Sequence, residues 1–254
     1  HRDLHSFPTR RSSDLGAGLV VAIPVCMALG LLIERVAYRP LRQAPRLAPL
    51  ITAIGVSIIL QNIAMLIWGK QYIPFPAVLP QGRHVFFGAN ITDVQIAILL
   101  LTMSIMLLLI LMVQKTRLGR AMRATAQSRQ VASLMGVDVN RVIAATFVNG
   151  SALAAVAGVM VSAYYGLAHY YMGFLLGLKA FSAAVLGGIG NLGGAMLGGL
   201  LLGLIESFGA GYIGDLTGGF LGSHYQDVFA FFVLIAVLVF RPSGLLGARV
   251  VERA

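Results

Sequence analysis

Apolar residues gather into long uncharged runs along this chain, and the runs rather than any alternation inside them set its architecture. Windows 16–33, 48–68, 94–113 and 142–165 contain no charged side chain. Each is close to the roughly 20 residues that cross a hydrocarbon core of about 30 Å as a helix. Windows 174–189, 194–212 and 227–240 continue the series, although Lys179 interrupts the first, Glu206 the second, and the third is short. Seven helices are therefore expected. A β-barrel needs alternating segments of about ten residues, and none are present. Backbone groups in lipid then have to be satisfied inside helices, so the fold class is all-α, a polytopic transmembrane bundle of about seven segments.

The polar positions fall between the runs. Loop 34–47 holds Arg35, Arg39, Arg42 and Arg46; loop 114–141 holds Lys115, Arg117, Arg120, Arg123, Arg129 and Arg141; the tail holds Arg241, Arg249 and Arg253. Alternating helices put these three segments on one side, leaving Lys70, Arg83 and Lys179 on or near the other. Basic loops stay cytoplasmic, which orients the bundle. The net charge of +10 reads as this topology signal and not as a nucleic-acid surface. The uncharged turn 190–193, Gly-Asn-Leu-Gly, is cytoplasmic by alternation alone. On the opposite side, Pro74, Pro76 and Pro80 stiffen the segment 72–80 into an extended strap, either an ordered connector or a dock for an external protein. Trp68, Tyr72 and Phe75 suit an interfacial aromatic belt.

Residues 1–15, "HRDLHSFPTRRSSDL", differ from the rest. They lack an apolar core or a cleavage site of the signal-peptide kind and look like translated sequencing-adapter text, with a genuine polar tail as the alternative. The expected organisation is a non-native segment 1–15 and one transmembrane domain, 16–254, with the true protein beginning upstream of Gly16.

Loop 114–141 is long and basic for so apolar a chain. Gly119 to Met135 can form about four turns of helix, Gly136 suits a left-handed helix end, and Asp138 or Asn140 can cap the next helix. Leu118, Met122, Ala126, Val131, Leu134 and Met135 make a modest apolar stripe; Arg120, Arg123, Gln127 and Arg129 make a polar face. Such an element binds anionic lipid, lies solvated, or fits a groove on a protein.

Within the spans, Thr52, Ser57, Gln61 and Asn62 on the second and Thr146, Asn149 and Ser151 on the fourth can line a pathway for a small polar-ended solute or serve as interhelical hydrogen-bond partners. Gly190, Gly194 and Gly198, with Gly199 and Gly203, recur every four residues, the spacing that lets helices approach closely. Folding back around the 190–193 turn puts Lys179 and Glu206 at similar depth. They can pair across the hairpin, contact substrate, or snorkel to the interface.

No phosphate-binding G-x-x-x-x-G-K-[ST] motif occurs, so the chain is not its own ATPase. His1, His5, His84, His169 and His224 have no metal-ligand spacing, the lone Cys26 excludes a disulfide framework, and no G-x-S-x-G nucleophile elbow appears. The chain reads as a non-enzyme without cofactor or metal.

Five stretches carry a family likeness: "ERVAYRPLRQAPRLAPLITAIGVSIILQN" (34–62), "RLGRAMRATAQ" (117–127), "LMGVDVNRVIAATF" (134–147), "MGFLLGLKAFSAAVLGGIGNLGGAMLGGLLLGLIES" (172–207) and "FRPSGLLG" (240–247). On these the chain resembles permeases of the branched-chain amino acid ABC transporter family, the LivH type, over nearly everything after residue 16. The resemblance implies a bacterial inner-membrane importer subunit. Its partners would be a second homologous permease, an external substrate-binding protein and two ATPase subunits that carry ATP and Mg. It also implies that loop 114–141 contains the coupling helix, so that Arg120, Arg123, Gln127, Arg129, Leu134, Met135 and Gly136 meet the ATPase. Three departures stand out. The first helices of the family are expected to be missing. Asn191-Leu192-Gly193 replaces the usual Ser-Ile-Pro, and the Glu-Ala-Ala signature of many ABC permeases is reduced to Ala132 and Gly136. Urea and short amides are alternative substrates among such permeases. The rival reading is an ion-coupled secondary transporter or channel, which would use Glu206 as its buried acid.

Overall fold

The computed structural model describes residues 9–45, 48–75, 82–86, 89–188, 190–216, 226–241 and 243–247. All seven expected windows are helical: α1 (Thr9–Ile33), α2 (Ala48–Trp68), α3 (Asp93–Lys115), α6 (Val139–Tyr165), α7 (Met172–Gly187), α8 (Leu192–Leu216) and α9 (Gln226–Phe240). Five contain segments long and apolar enough to cross a membrane: Gly16–Tyr38, Ile51–Trp68, Asp93–Lys115, Val139–Tyr165 and Leu192–Gly209. The other two are shorter, 16 residues in α7 and 15 in α9. At about 1.5 Å per residue such helices fall short of a 30 Å core. Helix α1 starts at Thr9 and so takes in the end of the segment set aside above. Two short helices, α4 (Arg117–Gln127) and α5 (Arg129–Leu134), occupy the basic loop.

The chain divides into two compact units, residues 1–172 and 173–254. In the first, α1 and α6 pack along each other and α4 lies against the end of α3 and the start of α6. Beyond Ile33 the chain tightens through a π-helical turn, Glu34–Tyr38, and a 3-10 turn, Pro40–Gln43. Arg42 ties these turns down. Its guanidinium donates to Glu34 Oε1 and to Asn140 Oδ1 near the start of α6, while Tyr38 packs on Phe147 of α6 with ring centroids 4.9 Å apart. Loop 34–43 and the start of α6 therefore share one end of the unit, the end that carries the basic residues between Arg35 and Arg42 and between Lys115 and Arg141.

Among the described residues the opposite end holds four short strands, of which only the first falls in the expected strap 72–80. Strand β1 (Ile73–Pro74) pairs antiparallel with β4 (Leu167–Ala168), and β2 (Arg83–Phe86) with β3 (Ala89–Thr92). Pro74 sits in a strand at the edge of a two-stranded ladder, where a missing donor is tolerated; Pro76 and Pro80 lie outside the described residues. The β2–β3 hairpin is anchored to α3. Asp93 accepts from Gly82 N at 3.0 Å and meets His84 Nε2 at 2.8 Å, and Thr92 and Gln95 form a reciprocal capping box. With residues 73–74 and 167–168 at one end and Glu34, Arg42 and Asn140 at the other, the first unit has the alternating topology that the charges require.

In the second unit, α7 and α8 form a hairpin and α9 packs on α8. The series Gly190, Gly194, Gly198 is not one continuous helical stripe, because α8 starts at Leu192. Gly190 lies in the turn, and no described atom stands near a side chain built there or at Gly203. Within this set of glycines, close approach is confined to two positions. A Cβ on Gly194 would strike the Gly187 carbonyl and one on Gly198 the Ala183 carbonyl, whereas Gly199 has only ordinary contact with Ala183. Asn191 caps α8 by accepting from Gly194 N at 3.0 Å, and its amide donates to Leu246 O at 3.1 Å. The tail completes this junction: Leu245 N donates to Leu186 O at 2.9 Å and Leu246 N to Gly187 O at 3.0 Å. These bonds satisfy carbonyls that end α7 without helical partners, over Leu186, which is only 2% exposed.

Two outcomes follow for stability, each readable as the fraction of protein remaining monodisperse in detergent after heating. Asn191→Ala removes a cap and a tail bond and is expected to cost about 1–2 kcal/mol, with Asn191→Asp recovering the cap alone. Arg42→Ala strands Glu34, which is 3% exposed, and is expected to cost about 3–5 kcal/mol. Glu34→Gln in the same chain should return part of that loss.

Candidate functional site

The basic loop is built as a hook with three polar fasteners. Thr116 ends α3, and its hydroxyl accepts from Gly119 N at 3.1 Å to start α4. Ser128 then leaves helical geometry, with φ −155° and ψ 117°, and accepts from Val131 N at 3.3 Å to start α5. The four-turn helix expected over 119–135 is therefore two helices, because a serine that caps the backbone of its successors competes with continuing the helix. Gly136, with φ +81°, takes the left-handed step that ends α5; Gly136 N donates to Ser133 O and Val137 N to Ala132 O, both at 3.0 Å. Asp138 accepts from Asn140 N and Arg141 N at 3.1 and 3.2 Å to start α6, and its other oxygen meets Arg141 Nε at 3.0 Å.

This construction sorts the side chains. Ala132 is buried and anchors α5, and Leu118 and Met122 of α4 are half-buried. Arg120, Arg123, Gln127, Arg129 and Gly136 are exposed, Arg123 making a long 3.5 Å bond to Gln114 O. Val131, Leu134 and Met135 project outward with 57%, 85% and 80% of their surfaces exposed. Three neighbouring apolar side chains, exposed at the end of the unit that also carries the basic residues, form an apolar edge of the kind found in contact surfaces.

The polar span residues are arranged differently. Thr52 Oγ1 donates to Ala48 O at 2.9 Å, Asn62 Nδ2 to Ile58 O at 2.8 Å and Thr146 Oγ1 to Val142 O at 2.9 Å, each within its own helix. Gln61 Nε2 reaches Ser57 Oγ at 3.3 Å, so these two mark one face of α2. Asn149 is half-buried in α6, and Ser151 fills the seam where α6 crosses Gly30 of α1. Among the described residues no hydrogen bond joins the α2 set to the α6 set. In the second unit, Lys179 Nζ donates to Glu206 Oε2 at 3.0 Å between α7 and α8, both groups largely withdrawn from the surface.

The tie made by Glu34, Arg42 and Asn140 and the clasp made by residues 243–247 were not foreseen. The first had a signal: Glu34 is the sole acid from residue 16 to residue 92, and it stands beside four arginines. The second had none beyond the Gly-Leu-Leu-Gly run, because two of its bonds are backbone to backbone and the third joins Asn191 to Leu246 across 55 positions.

Comparison with known proteins agrees with this architecture. The family described as branched-chain amino acid transport system, permease component, matches residues 10–238. The chain is 49% identical to the high-affinity branched-chain amino acid transport system permease protein BraD of Pseudomonas aeruginosa, over 93% of this chain and 76% of that protein. It is 45% identical to the permease protein LivH of the corresponding system in Escherichia coli, and equally to that of Salmonella typhimurium, over 94% of this chain and 76% of each relative. No solved structure matches. With its membrane-length apolar helices, this is a multi-pass inner-membrane protein, and it belongs to the branched-chain amino acid transport permease family.

Proposed function

We propose that the chain is the membrane-spanning subunit of an ATP-driven importer for branched-chain or related apolar amino acids. A second homologous permease completes the pathway, an external binding protein delivers substrate, and two ATPase subunits, carrying ATP and Mg, supply the work. The chain itself holds no cofactor and is not an enzyme. The observation that carries the coupling role is the exposed edge of Val131, Leu134 and Met135 on a hook whose ends are capped into α3 and α6. A flexible loop would absorb a push from outside. This hook passes it to α6, and Arg42 passes it on to the turn that follows α1.

Thr52, Ser57, Gln61, Asn62 and Thr146 supply the pathway with polar groups already bonded locally, and Asn149 and Ser151 of α6 join them. Such groups offer weak, exchangeable hydrogen bonds to the ends of a zwitterion instead of a deep trap. Glu206, the acid an ion-coupled carrier would use, already has Lys179 at 3.0 Å, which favours a structural role for the pair.

Replacing Val131, Leu134 and Met135 together by serine tests the reading in complexes reconstituted with the neighbouring permease, ATPases and binding protein. ATP-dependent leucine uptake should fall at least about ten-fold, the loss expected when apolar anchors leave an interface, while both permeases remain in the membrane. Uptake that persists without ATPase and follows a proton or sodium gradient would overturn it, and a matching loss in Glu206→Gln would then assign the carrier role.

A further inference from the structure

At the strand-bearing end of the first unit, a cleft of about 200 Å³ opens between the end of α2 and the β1–β4 ladder, with Trp68, Gln71, Ile73, Ala168, His169 and Tyr170 among its lining. Its walls are mainly apolar and, among the described residues, include no charged side chain. The size is below the roughly 300–1,000 Å³ of sites for drug-sized ligands, which restricts the occupant to a small molecule.

Two features give the cleft chemical direction. Ser57, Gln61, Ala64 and Trp68 follow one another at intervals of four, three and four residues, so they share a single face of α2. The polar pair Ser57 and Gln61 thus lies deeper along the same face that ends in the cleft. His169 is fixed in place. Its ring stacks on Tyr72 at 4.4 Å and packs against Tyr170 at 4.3 Å, and its Nδ1 accepts from Tyr171 N at 3.4 Å. In the neutral ring the proton then sits on Nε2, which makes that nitrogen a donor for a carboxylate.

We propose that this cleft is an outer binding site for a free amino acid with an aliphatic side chain. The inference rests on the importer reading and places a first contact on this chain's own surface. Trp68, Ile73 and Ala168 take the aliphatic group, His169 Nε2 donates to the carboxylate, and the faces of Trp68 and Tyr170 take the ammonium through cation–π attraction. Without a charged wall the site holds a zwitterion weakly and rejects a side chain that carries charge of its own. A weak outer site can release its ligand inward along the Ser57–Gln61 face.

Trp68 is the chain's single tryptophan, which provides a direct readout. The assembled complex of both permeases and the ATPases is placed in lipid nanodiscs without binding protein, and leucine is titrated. The Trp68 signal is isolated as the fluorescence difference between wild-type and Trp68→Phe complexes. The expected result is a saturable change with leucine and none with glutamate, with half-saturation raised about ten-fold in His169→Ala, the loss expected for one hydrogen bond to a charged group. A difference signal that ignores leucine, responds equally to glutamate, is unmoved by His169→Ala, or follows the acyl composition of the nanodisc overturns the cleft. ATP-driven leucine uptake by the same wild-type complex with binding protein present separates the two claims. Uptake without a Trp68 response sinks the cleft and leaves the importer standing, whereas a Trp68 response without ATP-driven uptake sinks the importer and keeps the cleft.

Discussion

Glu34 lies 3% exposed at the end of an apolar helix, a position where an unpaired carboxylate is not tolerated. Arg42 resolves the problem from the next turn of the chain, and in doing so reaches Asn140 at the start of α6. One guanidinium thus closes α1, folds back the loop behind it and fixes that loop to the helix that follows the hook. Burial makes the tie strong in a specific sense: the pair adds modest stability over an apolar replacement, but losing one partner leaves a charge without water. The topology of the first unit depends on it, because it holds two basic segments, far apart in sequence, at one end.

The same logic governs the other helix ends. A membrane helix satisfies its own backbone except at its first and last turns, and this chain meets those needs with short polar side chains and with its own tail. Thr116, Ser128 and Asp138 start α4, α5 and α6 in succession; each cap fixes a change of direction, and together they make a stiff hook that leaves α5 outward. Residues 245 and 246 complete α7 in the second unit, with Asn191 serving both the α8 start and the tail. The caps at these junctions and the exposure of Leu134 and Met135 are consequences of one arrangement, and the proposed coupling role needs both.

Much of this was legible in the sequence because lipid imposes a simple code. Uncharged runs gave the helices, and the distribution of arginine anticipated that loop 34–47 and loop 114–141 share one end of the first unit. Gly136 and Asp138 announced the end of one helix and the start of the next through residue types with few other uses. The helices α7 and α9 were visible as weak windows and are short in fact. What escaped depended on partners distant in sequence: the Arg42 tie crosses 98 positions to Asn140, and the tail clasp joins residues 186, 187 and 191 to 245 and 246, in part through backbone groups that every residue possesses. The break at Ser128 was missed for another reason. Serine is acceptable inside a helix, and only the direction of its hydroxyl decided between continuing and capping. The pathway residues remain the least determined by pattern, since a polar side chain bonded within its own helix looks the same in sequence whether it faces solute, lipid or a neighbour.

The central claim is that the apolar edge of the hook meets the ATPase and that the strand-bearing end does not. Site-directed cross-linking in the assembled complex tests it most directly, using Leu134→Cys and Tyr72→Cys, each in a Cys26→Ala background. The account predicts a cross-link from position 134 to the ATPase subunit that changes with ATP, and none from position 72. A cross-link to the ATPase from position 72, or a failure of position 134 to reach it in a complex that still transports, would contradict the account.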